Sequence, residues 1–150
     1  MPAVPPPAYA VAGLVAQHLL ADNGRAGPVR KVAAGAVAAA SAALAVGSIR
    51  RFRAGGTTVE PFHPERASAL VTSGPNALTR NPMYVGMAGL LAAHALVRGG
   101  WLPAVPVAAF VAVIDQTQIR PEEAALRALF GQEYDEYCAR VPRWLTGLPL

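Results

Sequence analysis

The chain has 150 residues and a net charge of +4, and 53% of it is hydrophobic against only 15% charged, with a mean hydropathy of +0.33. Soluble domains carry roughly 25% charged residues, so a water-facing surface of the usual kind is excluded and a lipid-facing one is expected. The thirteen basic residues, all arginine except Lys31, are scattered without an aromatic platform, which argues against a nucleic-acid groove, and the single Cys138 rules out an internal disulfide and a cysteine-cluster metal site.

In chain order, Met1–Pro7 is proline-rich and lacks the basic region of a secretory signal, so the first apolar stretch, Pro5–Ala21, reads as mature protein. That stretch is uncharged but holds Gln17 and His18, which read as a polar contact between helices or an interfacial pair. Val32–Ile49 follows, eighteen residues of mostly Ala, Val, Leu and Gly. A spanning helix needs about 20 apolar residues, in a range of roughly 17–25, and this stretch satisfies that requirement best. Its Ala38, Ala39, Ala40, Ala42, Ala43 and Gly47 suit close backbone approach inside a bundle; an alanine-rich span without that role is the other reading.

The stretches Asn81–Val97 and Gly99–Ile114 are expected to form a hairpin turning at Arg98-Gly99-Gly100. Four crossings place both termini and the Arg50–Arg80 loop on one face. Arg50, Arg51, Arg53, Arg66 and Arg80 put that face in the cytoplasm, although Arg25, Arg30 and Lys31 in the first loop oppose the assignment. The fold class is therefore all-α: a polytopic membrane bundle of about four spanning or re-entrant helices. From Pro121 onward, Leu126, Phe130, Tyr134, Tyr137 and Val141 recur at helical spacing, which predicts a C-terminal amphipathic helix bent or broken at Gly131. Within it Glu123 and Arg127 are set for an i,i+4 pair. Arg143-Trp144-Leu145 reads as an interfacial anchor, with Arg140 and Arg143 as headgroup contacts and Tyr134 and Tyr137 as packing residues. One domain spans 1–150, divided into an N-terminal helical hairpin (1–53) and a second part (54–150) that holds the segments described next.

Two segments carry chemistry. In Gly74–Gly86 a turn at Gly74-Pro75 precedes a helix start, with Asn81 as N-cap and Pro82 in the first turn. Those local roles leave Arg80 and Tyr84 unexplained at the mouth of an apolar hairpin. At the other end of the hairpin, Glu122-Glu123 either enjoys the helix dipole as a solvated first turn or faces an interior, since lipid-exposed carboxylates are unfavourable. Folding the hairpin brings Arg80–Gly86 close to Glu122–Glu123. His18, His63 and His94 have no ligand spacing, so no metal site is expected.

Arg80-Asn81-Pro82-Met83-Tyr84-Val85-Gly86, the apolar hairpin, Glu122-Glu123, Phe130-Gly131-Gln132-Glu133-Tyr134 and Val141-Pro142-Arg143-Trp144-Leu145 together resemble bacterial members of the isoprenylcysteine carboxyl methyltransferase family. The related phospholipid methyltransferases are similar over the same region. Gly55-Gly56-Thr57-Thr58-Val59-Glu60-Pro61 and Leu70–Pro75 fit the bacterial pattern, so the resemblance covers about Ala54 to Leu145. It implies an integral membrane transferase that uses S-adenosyl-L-methionine, in the cytoplasmic membrane of a bacterium. By resemblance the cofactor pocket contains Asn81, Pro82, Tyr84, Gly86, Glu122 and Glu123. Arg80 and Glu123 are the candidate catalytic residues, Arg80 orienting an anionic acceptor or the cofactor carboxylate. Asn81 stands where the eukaryotic prenylcysteine enzymes have histidine, and Asn76 where an aromatic residue is common. The acceptor is expected to be lipophilic or small, with a carboxylate, thiol or amine nucleophile, alongside membrane lipids as partners and without nucleic acid. A membrane sterol-reductase-like enzyme using NADPH and a non-catalytic scaffold of the same fold are the other readings.

Overall fold

A computed structural model describes residues 4–21, 26–56 and 67–145, and among these the secondary structure is helical, without strands. The Thr57–Pro61 part of the resemblance, together with Arg25, His63 and Arg66, lies outside the described residues. Helix α1 (Pro6–Leu20) and helix α2 (Pro28–Ala54) both begin with proline in the first turn, where its missing N–H is no loss. Helix α3 (Pro82–Arg98) starts in the same way. It ends at Gly99, whose φ of 81°, with 69° at Gly100, turns the chain as the glycine pair predicts. A short 3₁₀ turn (Leu102–Ala104) leads into helix α4 (Val105–Ile114), which continues through a π turn (Asp115–Ile119) into helix α5 (Arg120–Phe130). Gly131, at φ 50°, separates α5 from helix α6 (Gln132–Arg140), so the C-terminal helix is broken at the expected glycine.

The four apolar stretches are helices. At roughly 1.5 Å per residue, α2 is about 40 Å long and the run from Leu102 to Phe130 about 43 Å, both beyond the roughly 30 Å hydrocarbon core of a bilayer. These two are apolar and long enough to cross a membrane, while α1 and α3 have 15 and 17 residues. Val11, Val15 and Leu19 on α1, and Val29, Val32 and Val46 on α2, are exposed apolar side chains. Apolar exposure of that extent marks a lipid or protein contact, not a wetted surface.

α2 packs on α3 through a narrow stripe of small residues: Ala34, Ser41 and Ser48, seven apart, are its buried positions. Opposite them, a methyl group added at Gly86 would lie 2.8 Å from the Ser41 carbonyl oxygen and 2.9 Å from Ala45 Cβ, and one at Gly89 would collide with Ser41 Oγ. Close approach therefore occurs along one seam. Ala39, Ala40, Ala42 and Ala43 face outward, and α2 is a peripheral helix instead of an interior one. Nor do α1 and α2 form a separate hairpin. α1 packs on α3 and α4 while α2 packs on α3, and α2 sends Ser48 and Phe52 to the cleft described below.

Gln17 fixes α1 in the bundle. Fully buried, it donates from Nε2 to the carbonyls of Leu91 (2.9 Å) and Pro103 (2.8 Å), and its Oε1 lies 2.8 Å from His94 Nδ1. This is the interhelical polar contact that Gln17-His18 suggests, made by the glutamine.

The apolar core has two parts. Tyr84, Leu91, Phe110, Ile114, Ile119 and Trp144 form one; Tyr134, Tyr137 and Val141, with Leu70, Leu126 and Phe130 against them, form the other. Trp144 is thus not the interfacial anchor its sequence neighbourhood predicts. It is 7% exposed and donates from Nε1 to Asp115 Oδ1 at 3.1 Å. The outward-facing tryptophan is Trp101, 74% exposed at the tip of the α3–α4 hairpin.

Candidate functional site

The residues before α3 form a scaffold of short turns. Gly74, at φ 64°, opens a 3₁₀ turn (Gly74–Ala77) that buries Asn76 beside α2. Ser48 Oγ donates to Asn76 Oδ1 (3.2 Å), and the Tyr137 hydroxyl donates to the Asn76 carbonyl (2.6 Å). Burial pushes the Tyr137 hydroxyl up to about 12, so it remains a donor. The turn is thereby tied to both α2 and α6. Tyr134 and Tyr137 are buried packing residues, as their spacing predicts.

From Thr79 to Asn81 the chain is joined to the segment after α6. Arg80 N–H donates to the Pro142 carbonyl (2.9 Å), Thr79 Oγ1 to the Arg143 carbonyl (2.7 Å), and Asn81 Nδ2 to the same carbonyl (3.1 Å). Asn81 occupies the N-cap position without capping by its side chain: the amide is spent on the C-terminal strap, and Thr79 Oγ1 accepts the Asn81 N–H.

Two arginines meet at Glu123. Arg80 Nη2 lies 2.7 Å from Glu123 Oε1, and its Nη1 donates to the Val141 carbonyl at 2.7 Å. Arg143 approaches the same carboxylate through Nε (3.0 Å to Oε1) and Nη2 (2.6 Å to Oε2), the bidentate fork that guanidinium geometry favours. Its Nη1 contacts both oxygens of Asp115 at 3.3 and 3.4 Å. The hydrogen bonds that Arg143 donates to Glu123 hold its guanidinium in the charged form well above its ordinary range. Arg143 is thus an internal ion-pair residue, where the sequence suggested a headgroup contact. Glu123 does not pair with Arg127, which lies 2.7 Å from Asp135 and over the Tyr134 ring.

Glu122 is placed differently. It accepts from the Tyr84 hydroxyl at 2.5 Å, and no arginine, lysine or histidine forms an ion pair with it among the described residues. Glu122, Glu123, Arg80, Asn81, Pro82 and Tyr84 line one cleft, as the folded hairpin predicts. Its other walls are Ser48 and Phe52 of α2, Ala67, Ala69, Leu70 and Val71 of the segment before the 3₁₀ turn, Asn76, Met83, Leu126, Tyr134 and Tyr137. The cleft volume is about 120 Å³, well above the roughly 10–15 Å³ that holds one water. Gly86 is outside it, on the α2 seam.

The cleft therefore has a polar end, with one carboxylate available to a cation, and an apolar end running toward α2. Arg80 Nε is buried without a hydrogen-bond acceptor among the described residues, so an oxygen of a bound molecule or water would satisfy it. Sequence reasoning missed Asp115 and Arg143. Asp115 is an isolated aspartate just past the fourth apolar stretch, and that lone charge beside a span was the signal available.

A profile of the family described as phospholipid methyltransferase matches residues 29–133 of this chain. A Haemophilus influenzae protein described as uncharacterized is 41% identical over 63 residues, which is 42% of this chain and all of that protein. No solved structure matches the chain.

Proposed function

The chain belongs to the phospholipid methyltransferase family, and from that premise we propose that it transfers a methyl group from S-adenosyl-L-methionine to a lipophilic acceptor at the membrane. Its family makes it a membrane methyltransferase in general terms; the cofactor, the acceptor and the residue roles are our reading. The observation that carries the reading is Glu122, a cleft carboxylate held by Tyr84 at 2.5 Å and left without a cationic partner among the described residues.

The residues fit the methyl donor. S-adenosyl-L-methionine supplies an electrophilic methyl on a positively charged sulfur, flanked by an ammonium, a carboxylate and an adenosine. Glu122 provides the negative charge for the cationic part. The unpaired Arg80 Nε–H offers a donor for an oxygen, and Phe52, Tyr84 and Leu126 offer flat or apolar contact. Tyr84 orients Glu122 by its hydrogen bond. Displacement of water by the bound reactants would favour transfer to an anionic or neutral nucleophile by limiting its hydration, and alignment of donor and acceptor supplies much of the remainder. Glu123, paired with Arg80 and Arg143, serves the site by holding its shape, and Arg80 shares that role while offering only its Nε–H to the ligand. That departs from the direct catalytic roles expected of them.

The acceptor reading rests on the apolar end. Phe52, Leu70, Val71 and Leu126 line it, and α2, which contributes Phe52, is apolar and long enough to cross a membrane, with little of it buried against the other helices. An acyl or prenyl chain lying there gains about 25 cal/mol per Å² of apolar area removed from water. Arg50, Arg51 and Arg53 at the end of α2 support a cytoplasmic-face location for this end of the bundle and, with four crossings, for both termini. Titration calorimetry in detergent tests the reading: micromolar binding of S-adenosylmethionine or S-adenosylhomocysteine is expected, and binding of NADPH with neither of these would overturn it.

A further inference from the structure

The two cleft carboxylates are adjacent in the chain, yet only Glu123 has an ion-pair partner among the described residues, and the difference traces to a residue outside the cleft. Asp115 lies on the π turn between α4 and α5 and is 1% exposed. Such turns interrupt the helical ladder and occur often near functional sites. Its carboxylate accepts from Arg143 Nη1 through both oxygens, from Trp144 Nε1 at 3.1 Å and from Arg120 Nε at 3.4 Å. Neither Asp115 nor Arg143 lines the cleft.

Asp115 and Glu123 balance Arg80 and Arg143 within this cluster, while Arg120, with a half-exposed side chain, is screened by solvent. The geometry orders the groups in a chain: Asp115 fixes Arg143, Arg143 takes both oxygens of Glu123, and Arg80 completes the pairing. Without Asp115 the cluster would hold two arginine charges against one carboxylate, with the excess positive charge beside the cleft that Glu122 lines.

We propose that Asp115 is a positioning residue. Through Arg143 it holds Glu123 away from the ligand and keeps the buried charges balanced, so that Glu122 acts on the cationic part of the methyl donor. The inference rests on the methyltransferase reading and specifies what sets that site's preference for a positive ligand.

The test compares the sulfonium S-adenosylmethionine with its neutral-sulfur counterpart S-adenosylhomocysteine, by calorimetry on the full chain in nanodiscs. The quantity read is the ratio of the two dissociation constants. Asp115→Asn leaves an excess positive charge beside the cleft and is expected to shift the ratio against the sulfonium by about tenfold. Arg143→Gln removes a positive charge and is expected to shift it the other way. A merely structural role would weaken both ligands together and leave the ratio unmoved. An unmoved ratio in a folded variant overturns the inference, and if Asp115→Asn does not fold, Arg143→Gln decides alone. Wild-type protein that binds both compounds while the variants keep its ratio overturns this inference only. Wild-type protein that binds neither overturns the methyltransferase reading, and the inference falls with it.

Discussion

The Arg143 guanidinium grips the Glu123 carboxylate at 3.0 and 2.6 Å, across twenty residues of sequence, and so joins the C-terminal strap to the start of α5. Removing one partner from a largely buried pair leaves the other charge uncompensated, which typically destabilises by about 3–5 kcal/mol. Glu123→Gln strands two arginines, one of them partly exposed, so a loss nearer 2–3 kcal/mol is expected. Thermal unfolding in detergent should show a clearly lower Tm, and a Tm equal to wild type would reject the structural role.

Glu122→Gln is expected to behave in the opposite way. The amide still accepts from Tyr84, so the Tm should move little, while affinity for S-adenosylmethionine should fall about tenfold or more, as for loss of a charge-assisted contact of roughly 1.5–3 kcal/mol. Tyr84→Phe should weaken binding less, because it removes only the hydrogen bond that orients Glu122. Calorimetry on the three proteins, with Tm in parallel, separates the roles. Equal binding by Glu122→Gln and wild type would remove Glu122 from the site.

Much of this arrangement was legible in the sequence. Asn81-Pro82 marks a helix start, Arg98-Gly99-Gly100 a reversal and Gly131 a break, because proline and glycine act locally and need no tertiary information. The meeting of Arg80–Gly86 with Glu122–Glu123 followed from one folded hairpin. What sequence could not supply was the return of the strap. Arg143 and Trp144 have the composition of an interfacial anchor, and only their docking on Asp115 turns them inward. Likewise, the π turn leaves no distinctive pattern in Asp115–Ile119, and the spare oxygens of Glu123 are accounted for only once Arg80 and Arg143 are both in place.

The α2–α3 seam gives a packing prediction. Gly89→Ala forces a methyl group into Ser41 Oγ, and overpacking of this kind typically destabilises by about 1–3 kcal/mol. Ser41→Gly should restore much of the loss in the double variant. If Gly89→Ala is as stable as wild type, the helices are not in contact there.

Gln17→Leu should lower stability without touching the cleft. It leaves the Leu91 and Pro103 carbonyls without the Gln17 donor and His94 without its Oε1 partner. Polar contacts between membrane helices average roughly 0.6 kcal/mol, with values up to about 2, so a loss of about 1–2 kcal/mol is expected. Ligand affinity at temperatures where the variant is folded should match wild type.

A homologous series of acceptors tests lipid entry. kcat/KM should rise with acyl or prenyl length and then level off as the chain outgrows the apolar wall formed by Phe52, Leu70, Val71 and Leu126. A flat series with good turnover of a short, water-soluble acceptor would discard the lipophilic substrate and keep the methyltransferase.

The hydrogen bonds from Thr79, Arg80 and Asn81 to the carbonyls of Val141, Pro142 and Arg143 also set a timetable for synthesis. The apolar helices α1 to α4 are complete some thirty residues before that strap, so the α2–α3 seam can form before Arg143 is available to Glu123. A chain cut before Val141 would thus keep that seam while Thr79, Arg80 and Asn81 lacked the carbonyls that hold them, and Glu123 lacked one of its two arginines.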